Sequence, residues 1–394
     1  MECWVYGALW GLSAAHLLLQ LGRSRPRPAS APALLRLALL ALLHCLCQAC
    51  LPLPLGAPLA AAACLALARL AQPRRLPAAG KAVVVTGCDS GFGKQTAHHL
   101  DSLGFKVFAS VLDLEGPGAK ELRQSCSPRL TLLQMDLTKP DDIQKAQQLI
   151  LLQTAGTGLW GLVNNAGFNT HLADTELSQL CHFRTCMDVN FFGTLAFTQA
   201  LLPPLRSSRG RIVTVSSPAG DMPFLCSPPG DMPFLCLAAY GASKAALTHL
   251  MDTLRNELQP WGVKVSLILP GSFKTGKAFE PAFWHEKKQQ LLATLPATLL
   301  QAYGEDYIHE ANDQFIEFIT RANEDLSPVV NCITDALLLA SPSARYYPGK
   351  GTWLLYFMHH YLPHATRDCV LKKFFISQGL PRALRPCQDG CKQD

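Results

Sequence analysis

Charge is scarce in this chain. Of its 394 residues only 16% are Asp, Glu, Lys or Arg, and the 35 basic side chains exceed the 29 acidic ones by just enough to give a net charge of +6. No basic stripe interleaved with aromatics runs through it, and that stripe is the footprint of phosphate-backbone binding, so no nucleic acid is expected as a partner. Metal-ligand spacing is missing too. Fifteen cysteines are present, but Cys45, Cys47 and Cys50 lie inside an apolar run, and Cys387 and Cys391 lack partner histidines. They read as reduced thiols, since a disulfide framework belongs to short secreted chains. No metal is expected. The opening Met1-Glu2-Cys3-Trp4 carries no basic leader, which argues against a cleaved signal peptide.

What the chain has in excess is apolar surface: 49% of it is hydrophobic, and most of the excess falls in residues 1–72. Three apolar segments follow one another there, residues 3–21, 33–53 and 56–70. The first two approach the ~20 residues that span a bilayer. Arg23, Arg25 and Arg27 lie in the first connection and Arg69, Arg74 and Arg75 after the third segment, while the connection around residues 52–58 has none. Three spans put both basic clusters on one side, which the positive-inside rule makes cytoplasmic. The region after Arg75 is then expected to face the cytosol, with the N-terminus in the lumen. Arg36 inside the second segment leaves one or two spans open as well. The chain is therefore divided into an anchor over 1–76, a catalytic domain over 77–349 and a C-terminal extension over 350–394, of which residues 382–394 read as disordered.

After the linker Pro73-Arg74-Arg75-Leu76-Pro77, residues 81–86 form a β-branched run without alternation, as in a strand buried on both faces of a parallel sheet. It leads into Gly87-Cys88-Asp89-Ser90-Gly91-Phe92-Gly93 and then a helical stretch from Lys94. Strand, glycine-rich turn and helix is the setting of a dinucleotide fingerprint, in which the helix N-terminus offers N–H donors and a positive dipole to a pyrophosphate. The next strand, residues 106–112, ends at Asp113, twenty residues beyond Gly93, where a carboxylate binds a ribose 2′-hydroxyl and repels a 2′-phosphate. That points to NAD. Further strands read at 130–135, ending in Asp136; at 161–163, ending in Asn164-Asn165-Ala166-Gly167; at 211–217; and at 263–269, closing on Pro270-Gly271 and Thr275. Between them runs a helix carrying Asn190.

Tyr240-Gly241-Ala242-Ser243-Lys244 opens an apolar helical run, and residues at i and i+4 share one helical face. An ammonium beside a phenol favours phenolate, lowering a pKa of about 10 toward working pH, as a general base needs.

With Thr86-Gly87-x-x-x-Gly91-x-Gly93, Asn164-Asn165-Ala166-Gly167, Asn190, Tyr240-x-x-x-Lys244 and Pro270-Gly271 in order, the chain resembles the short-chain dehydrogenase/reductases from Lys81 to about Gly349. The resemblance implies an α/β fold, a Rossmann-type doubly wound parallel sheet, here with an N-terminal helical membrane anchor. It implies catalysis by Tyr240, Lys244, a serine and Asn190, the last ordering water in a proton relay. It assigns NAD to Gly87, Ser90, Gly91, Gly93, Asp113, Asp136, Asn164, Ala166, Gly167, Tyr240, Lys244, Pro270 and Thr275, and substrate to Ser217 and Tyr240. Residues 276–326, with an aromatic-rich start and a long helical pattern, would cover the substrate, and residues 353–362 would lie on the membrane or beside the pocket. The motifs around Thr86, Leu132, Gly158 and Arg345 are most similar to those of the family's hydroxysteroid dehydrogenases. This implies an enzyme of the endoplasmic-reticulum membrane that oxidises the 11β-hydroxyl of a glucocorticoid, with two copies pairing through the helices of Asn190 and Tyr240.

One departure concerns the serine. Residues 218–227 and 228–237 are a ten-residue tandem repeat, Pro-Ala-Gly-Asp-Met-Pro-Phe-Leu-Cys-Ser against Pro-Pro-Gly-Asp-Met-Pro-Phe-Leu-Cys-Leu. Ser217 lies twenty-three residues before Tyr240 and Ser227 thirteen before it. A rigid strand favours Ser217; the family's usual spacing of about twelve residues favours Ser227. A dehydrogenase of another lipid alcohol, a 17β-hydroxysteroid or retinol, and an inactive membrane-bound NAD-binding protein spoiled by the repeat remain as alternatives.

Overall fold

The computed structural model describes residues 74–169, 171–218, 235–349, 352 and 379–385. The expected membrane segments, Ser227 and residues 353–362 lie outside the described residues. Among the described residues no helix is long and apolar enough to cross a membrane. The chain divides into two compact units, residues 1–76 with 339–343, and residues 77–338 with 344–394. The second holds the fold described below.

Its centre is a seven-stranded sheet in the order β3-β2-β1-β4-β5-β6-β7, every pairing parallel. The strands are β1 Ala82–Val85, β2 Lys106–Val111, β3 Leu130–Gln134, β4 Gly161–Asn164, β5 Arg211–Val215, β6 Lys264–Ile268 and β7 Arg345–Tyr346. Helices α1 Gly91–Ser102, α2 Pro117–Ser125 and α3 Pro140–Gln153 follow the first three strands. After β4 come α4 Leu180–Met187 and α5 Thr194–Ser207, with a π-helical turn, Asp188–Gly193, between them. Helix α6, Ala238–Glu257, links β5 to β6, and α7 Pro281–Thr294, α8 Ala297–Tyr303, α9 Glu305–Thr320 and α10 Ser327–Leu338 lie between β6 and β7.

The two-residue period of a strand explains the layering. In β1, Val83 and Val85 pack with Ala97 and Leu100 of α1, Leu122 of α2 and Val329 and Ile333 of α10. Ala82 and Val84 point the other way, toward Ile143 and Ile150 of α3, Phe197 and Leu201 of α5 and Leu247 and Met251 of α6. Both faces are covered, so the strands carry unbroken apolar runs. The strand order reverses between β1 and β4, and beyond the carboxyl ends of strands at such a switch point lies the ligand crevice of an open α/β sheet.

Two expectations need correction. The helical pattern read through to residue 326 is not one helix: it breaks at Pro296, again at Gly304, whose φ of +84° suits glycine, and ends at Thr320. Of residues 382–394, read as disordered, only 382–385 are among the described ones, and there Arg382–Leu384 form a turn of 3-10 helix and Arg385 pairs with Asp306 at the start of α9. Low hydrophobicity concealed a segment held by charge.

Candidate active site

Helix α6 explains why a lysine is buried. Lys244 falls in register with Leu247, Thr248 and Met251, the face that packs on the sheet, and is 3% exposed. Its Nζ donates to the Val215 carbonyl at 3.2 Å, where β5 ends, and stands 5.9 Å from the centroid of the Tyr240 ring. Burial pushes the Lys244 pKa down to about 8. It raises that of Tyr240 above the ordinary phenol value, against which a hydrogen bond from the Ser217 side chain pulls it back. The net shift is therefore upward: in the protein alone the cost of desolvating a phenolate outweighs what opposes it, the Ser217 hydroxyl foremost. The Cys186 thiol of α4 also faces this pair, neutral, its pKa pushed up to about 11 by burial.

Ser217 is placed where one of the two serine readings put it, by a slightly different route. Strand β5 stops at Val215, and the Ser216 N–H extends its pairing to the Ile268 carbonyl at 2.9 Å. Ser216 turns inward, its hydroxyl 2.8 Å from that of Thr248. Ser217, the next residue, is half-buried and reaches Tyr240. A strand end, rather than the strand itself, presents the hydroxyl.

Asn190 is fully buried in the π turn. Its Oδ1 accepts the Phe168 N–H at 2.8 Å, and its Nδ2 donates to the Phe168 carbonyl and to the Ser243 hydroxyl, both at 2.9 Å. Ser243 in turn donates to the Tyr240 carbonyl at 2.7 Å. The expected water-ordering amide thus has both N–H donors engaged, and its side chain clamps the loop after β4 to the second turn of α6. The π turn was not legible in the sequence, although such turns recur at functional sites.

The glycines do something other than lie against a phosphate. A Cβ on Gly93 would come 2.1 Å from the Gly87 carbonyl oxygen and 2.5 Å from Asn165 Nδ2; one on Gly87 would meet the Ala166 backbone at 2.9 Å; one on Gly91, Thr275 Cβ at 2.9 Å; and one on Gly167, Lys244 Nζ at 3.1 Å. They let the turn after β1, the loop after β4 and the loop after β6 interlock. Asn165, absent from the expected site, fastens that joint: its Nδ2 donates to the Thr86 and Gly87 carbonyls at 2.9 and 3.1 Å. Asn164 requires the opposite correction. As the last residue of β4 its side chain points inward, 3.0 Å from Thr198 Oγ1 and 3.3 Å from Thr214 Oγ1, and does not reach the crevice. Counting the strand period one residue further would have separated the two asparagines. Gly118 was missed as well: a Cβ there would strike the Asp89 carbonyl oxygen at 2.0 Å.

At the β2 end Asp113 is exposed, with Oδ1 accepting the Glu115 N–H at 2.9 Å. The nearby cations Lys120 and Arg123 both turn to Glu115, at 3.7 and 3.9 Å. Asp136 Oδ1 accepts from the Thr138 N–H and hydroxyl at 2.9 and 2.7 Å, which with Lys139 holds its carboxyl below the ordinary range despite partial burial. Ser90 precedes α1 in extended conformation, and its side chain does not cap the first-turn N–H groups. Pro270 is buried, and Gly271 N–H donates to the Pro348 carbonyl at 2.9 Å.

An open-sided parallel sheet, a glycine-rich turn at its switch point and a Ser, Tyr and Lys on neighbouring elements define an oxidoreductase site of one kind. The chain belongs to the short-chain dehydrogenase family, whose model matches residues 81–280. It is 57% identical over 393 residues to the 11-beta-hydroxysteroid dehydrogenase type 2 of Bos taurus, covering 99% of this chain and 95% of that one. With the protein of the same name from Homo sapiens it shares 58% identity over 388 residues, 98% of this chain and 93% of the other. The 17-beta-hydroxysteroid dehydrogenase type 2 of Homo sapiens is 43% identical over 311 residues, 79% and 78% of the two chains. Among solved structures, a short-chain dehydrogenase from Streptomyces avermitilis superposes with a TM-score of 0.54 at 24% identity, over 75% of this chain and 96% of that one, a likeness of fold.

Proposed function

We propose that the protein oxidises the 11β-hydroxyl of glucocorticoids, cortisol to cortisone, with NAD as hydride acceptor. The observation that carries the chemistry is the Ser217 hydroxyl bonded to the Tyr240 phenol, with the Lys244 ammonium over the ring. The substrate rests on near full-length identity of 56 to 59% to four mammalian proteins named 11-beta-hydroxysteroid dehydrogenase type 2.

The residues present fit a nicotinamide dinucleotide: uncapped N–H groups of α1 for the pyrophosphate, the Asp113 carboxylate for the adenosine ribose and Lys244 for the nicotinamide ribose. A nicotinamide held there would supply the hydride acceptor. Tyr240, as phenolate, accepts the hydroxyl proton. Ser217 hydrogen-bonds the reacting oxygen, and Lys244 supplies the positive charge that a phenolate needs. With Lys120 and Arg123 both turned to Glu115, no cation among the described residues is seen paired with the Asp113 carboxylate, which favours NAD over its 2′-phosphorylated form.

The apolar segments and the arginine clusters of the sequence support anchoring of residues 1–76 in the endoplasmic-reticulum membrane, with the catalytic domain facing the cytosol, while a homodimer through the helices around Asn190 and Tyr240 rests on the family resemblance alone. A second reading, oxidation of a 17β-hydroxyl, is favoured by the 43% identity to a 17-beta-hydroxysteroid dehydrogenase. Microsomes carrying the protein are to be incubated with NAD or NADP and a panel of cortisol, estradiol, testosterone and retinol. Cortisone formed preferentially with NAD supports the proposal. Preferential turnover of estradiol would move the site to the second reading, and no turnover of any would leave a binding protein.

A further inference from the structure

Three parts of the chain that frame the substrate side of the site meet at one carboxylate, Asp174. The first is its own segment, which leaves β4 past Gly167, where the Lys244 ammonium stands, and past Phe168, where Asn190 holds the backbone. The second is the end of the tandem repeat. Cys236, four residues before Tyr240, has a φ of +64°, which a residue bearing a Cβ adopts only under constraint. The constraint is visible: the Cys236 carbonyl accepts the Ala173 N–H at 3.1 Å, and its thiol lies 3.3 Å from Asp174 Oδ1. The third is the covering helical layer. The Tyr307 hydroxyl of α9 donates to Asp174 Oδ2 at 2.6 Å, and one turn earlier the Tyr303 hydroxyl of α8 donates to Glu176 Oε2 at 2.7 Å. The two rings meet edge to face with centroids 5.4 Å apart, and Tyr307 is 4% exposed.

A neutral phenol donating to a carboxylate is among the stronger hydrogen bonds, and both carboxylate oxygens here are engaged by different elements. Apolar packing follows the same junction, with Cys236 and Ala311 buried against Leu172 and Phe315. Cys236 is thus a fixed point four residues before Tyr240.

We propose that Asp174 is a positioning residue for substrate: through Tyr307 and Cys236 it locks the cover formed by α8 and α9 to the start of the catalytic helix. The distance between cover and base, and so the fit of a rigid steroid between them, is set at this carboxylate. The proposal rests on the steroid oxidation advanced above for its kinetic readout, but the lock itself exists without substrate.

The test compares Tyr307→Phe, which deletes one hydroxyl, with Asp174→Asn and with the double variant, in membranes carrying the full chain. Tyr307→Phe is expected to raise KM for cortisol roughly tenfold or more, the loss of one hydrogen bond to a charged group, while KM for NAD and kcat stay within about twofold. The double variant should be no worse than Asp174→Asn alone, because the two residues form one unit. A change in cofactor KM equal to that for steroid, or a steroid KM within twofold of the parent, would overturn the proposal. Amide hydrogen exchange separates this from failure of the functional reading. Tyr307→Phe should speed exchange in both 235–242 and 303–315, whatever the parent turns over; faster exchange in 303–315 alone would show that α9 is not coupled to α6 and would sink the lock.

Discussion

At the scale of single residues, the arrangement sets a pH profile that rises and then levels as for a lysine-lowered tyrosine, but with the bend at the pKa of the lysine and not at that of the tyrosine. Proton acceptance needs Tyr240 ionised, although burial holds its pKa above the ordinary value, together with Lys244 protonated, although burial brings its pKa down to about 8. When the base has the higher pKa of the two, the competent pair is a minority form whose population rises with pH up to about 8 and is then level until the phenol's own value is passed. Oxidation rates measured from pH 6 to 10 in membranes saturated with NAD are expected to climb and flatten near 8; a maximum at or below pH 7 would refute the assignment. Ser217→Ala removes a hydrogen bond that opposes the rise at Tyr240 and is expected to lower kcat by roughly two orders of magnitude, as loss of one donor to a developing charge does. Ser227→Ala should change it little. Deleting residues 218–227 should leave turnover within about threefold, since a longer loop costs little closure entropy. Asp113→Ala should weaken NAD and narrow its preference over NADP, read as the ratio of kcat/KM for the two cofactors; an unchanged ratio would remove Asp113 as selector.

At the scale of elements, strands and glycine turns were readable because burial on both faces writes an unbroken β-branched run and glycine marks the crossings. What escaped was set by partners distant in sequence. Asn164 and Asn165 look equivalent as letters, but one ends β4 pointing inward to Thr198 and Thr214 and the other turns out to grip Thr86 and Gly87. Asn164→Ala is expected to remove one hydrogen bond each from the buried Thr198 and Thr214 hydroxyls, the second of which keeps Met251 Sδ, costing about 1–3 kcal/mol and lowering the melting temperature by several degrees. Gly93→Ala should instead prevent closure of the interlocked turn and abolish cofactor binding by titration calorimetry. The π turn and the break of the covering layer at Gly304 have no local signature of comparable strength, and the junction at Asp174 joins segments more than sixty residues apart on one side and more than a hundred on the other. The loop after β4 and helix α4 share a stacked pair, His171 and His182, with centroids 3.9 Å apart and His171 Nε2 2.8 Å from the Ser178 hydroxyl. Burial, then the neighbouring His182, lowers the His171 pKa to about 4. Since the unfolded chain takes up that proton near 6.5 and the folded one only near 4, stability is full above about 6.5 and falls as pH drops through this window. Thermal unfolding at pH 7 and pH 4.5 should show that loss in the parent and much less of it in His171→Phe.

At the scale of the whole molecule, orientation is the open quantity with the sharpest assay. Protease added to sealed microsomes is expected to digest everything after Arg75 and to spare a tag placed before Cys3; protection of the catalytic domain would reverse the charge argument. The sheet order carries a different consequence, for synthesis. Strands β1, β2 and β3 are neighbours in sequence as well as in space, but the other edge of β1 pairs with β4, so that Val83 waits for Gly161. Non-local parallel pairing of this kind forms slowly, and an unpaired edge invites association with other chains. A ribosome leaving the β1–β3 half behind it therefore trails a sheet with its most buried strand still open along one side. The interval until residue 164 emerges is when a nascent chain of this protein most needs a chaperone.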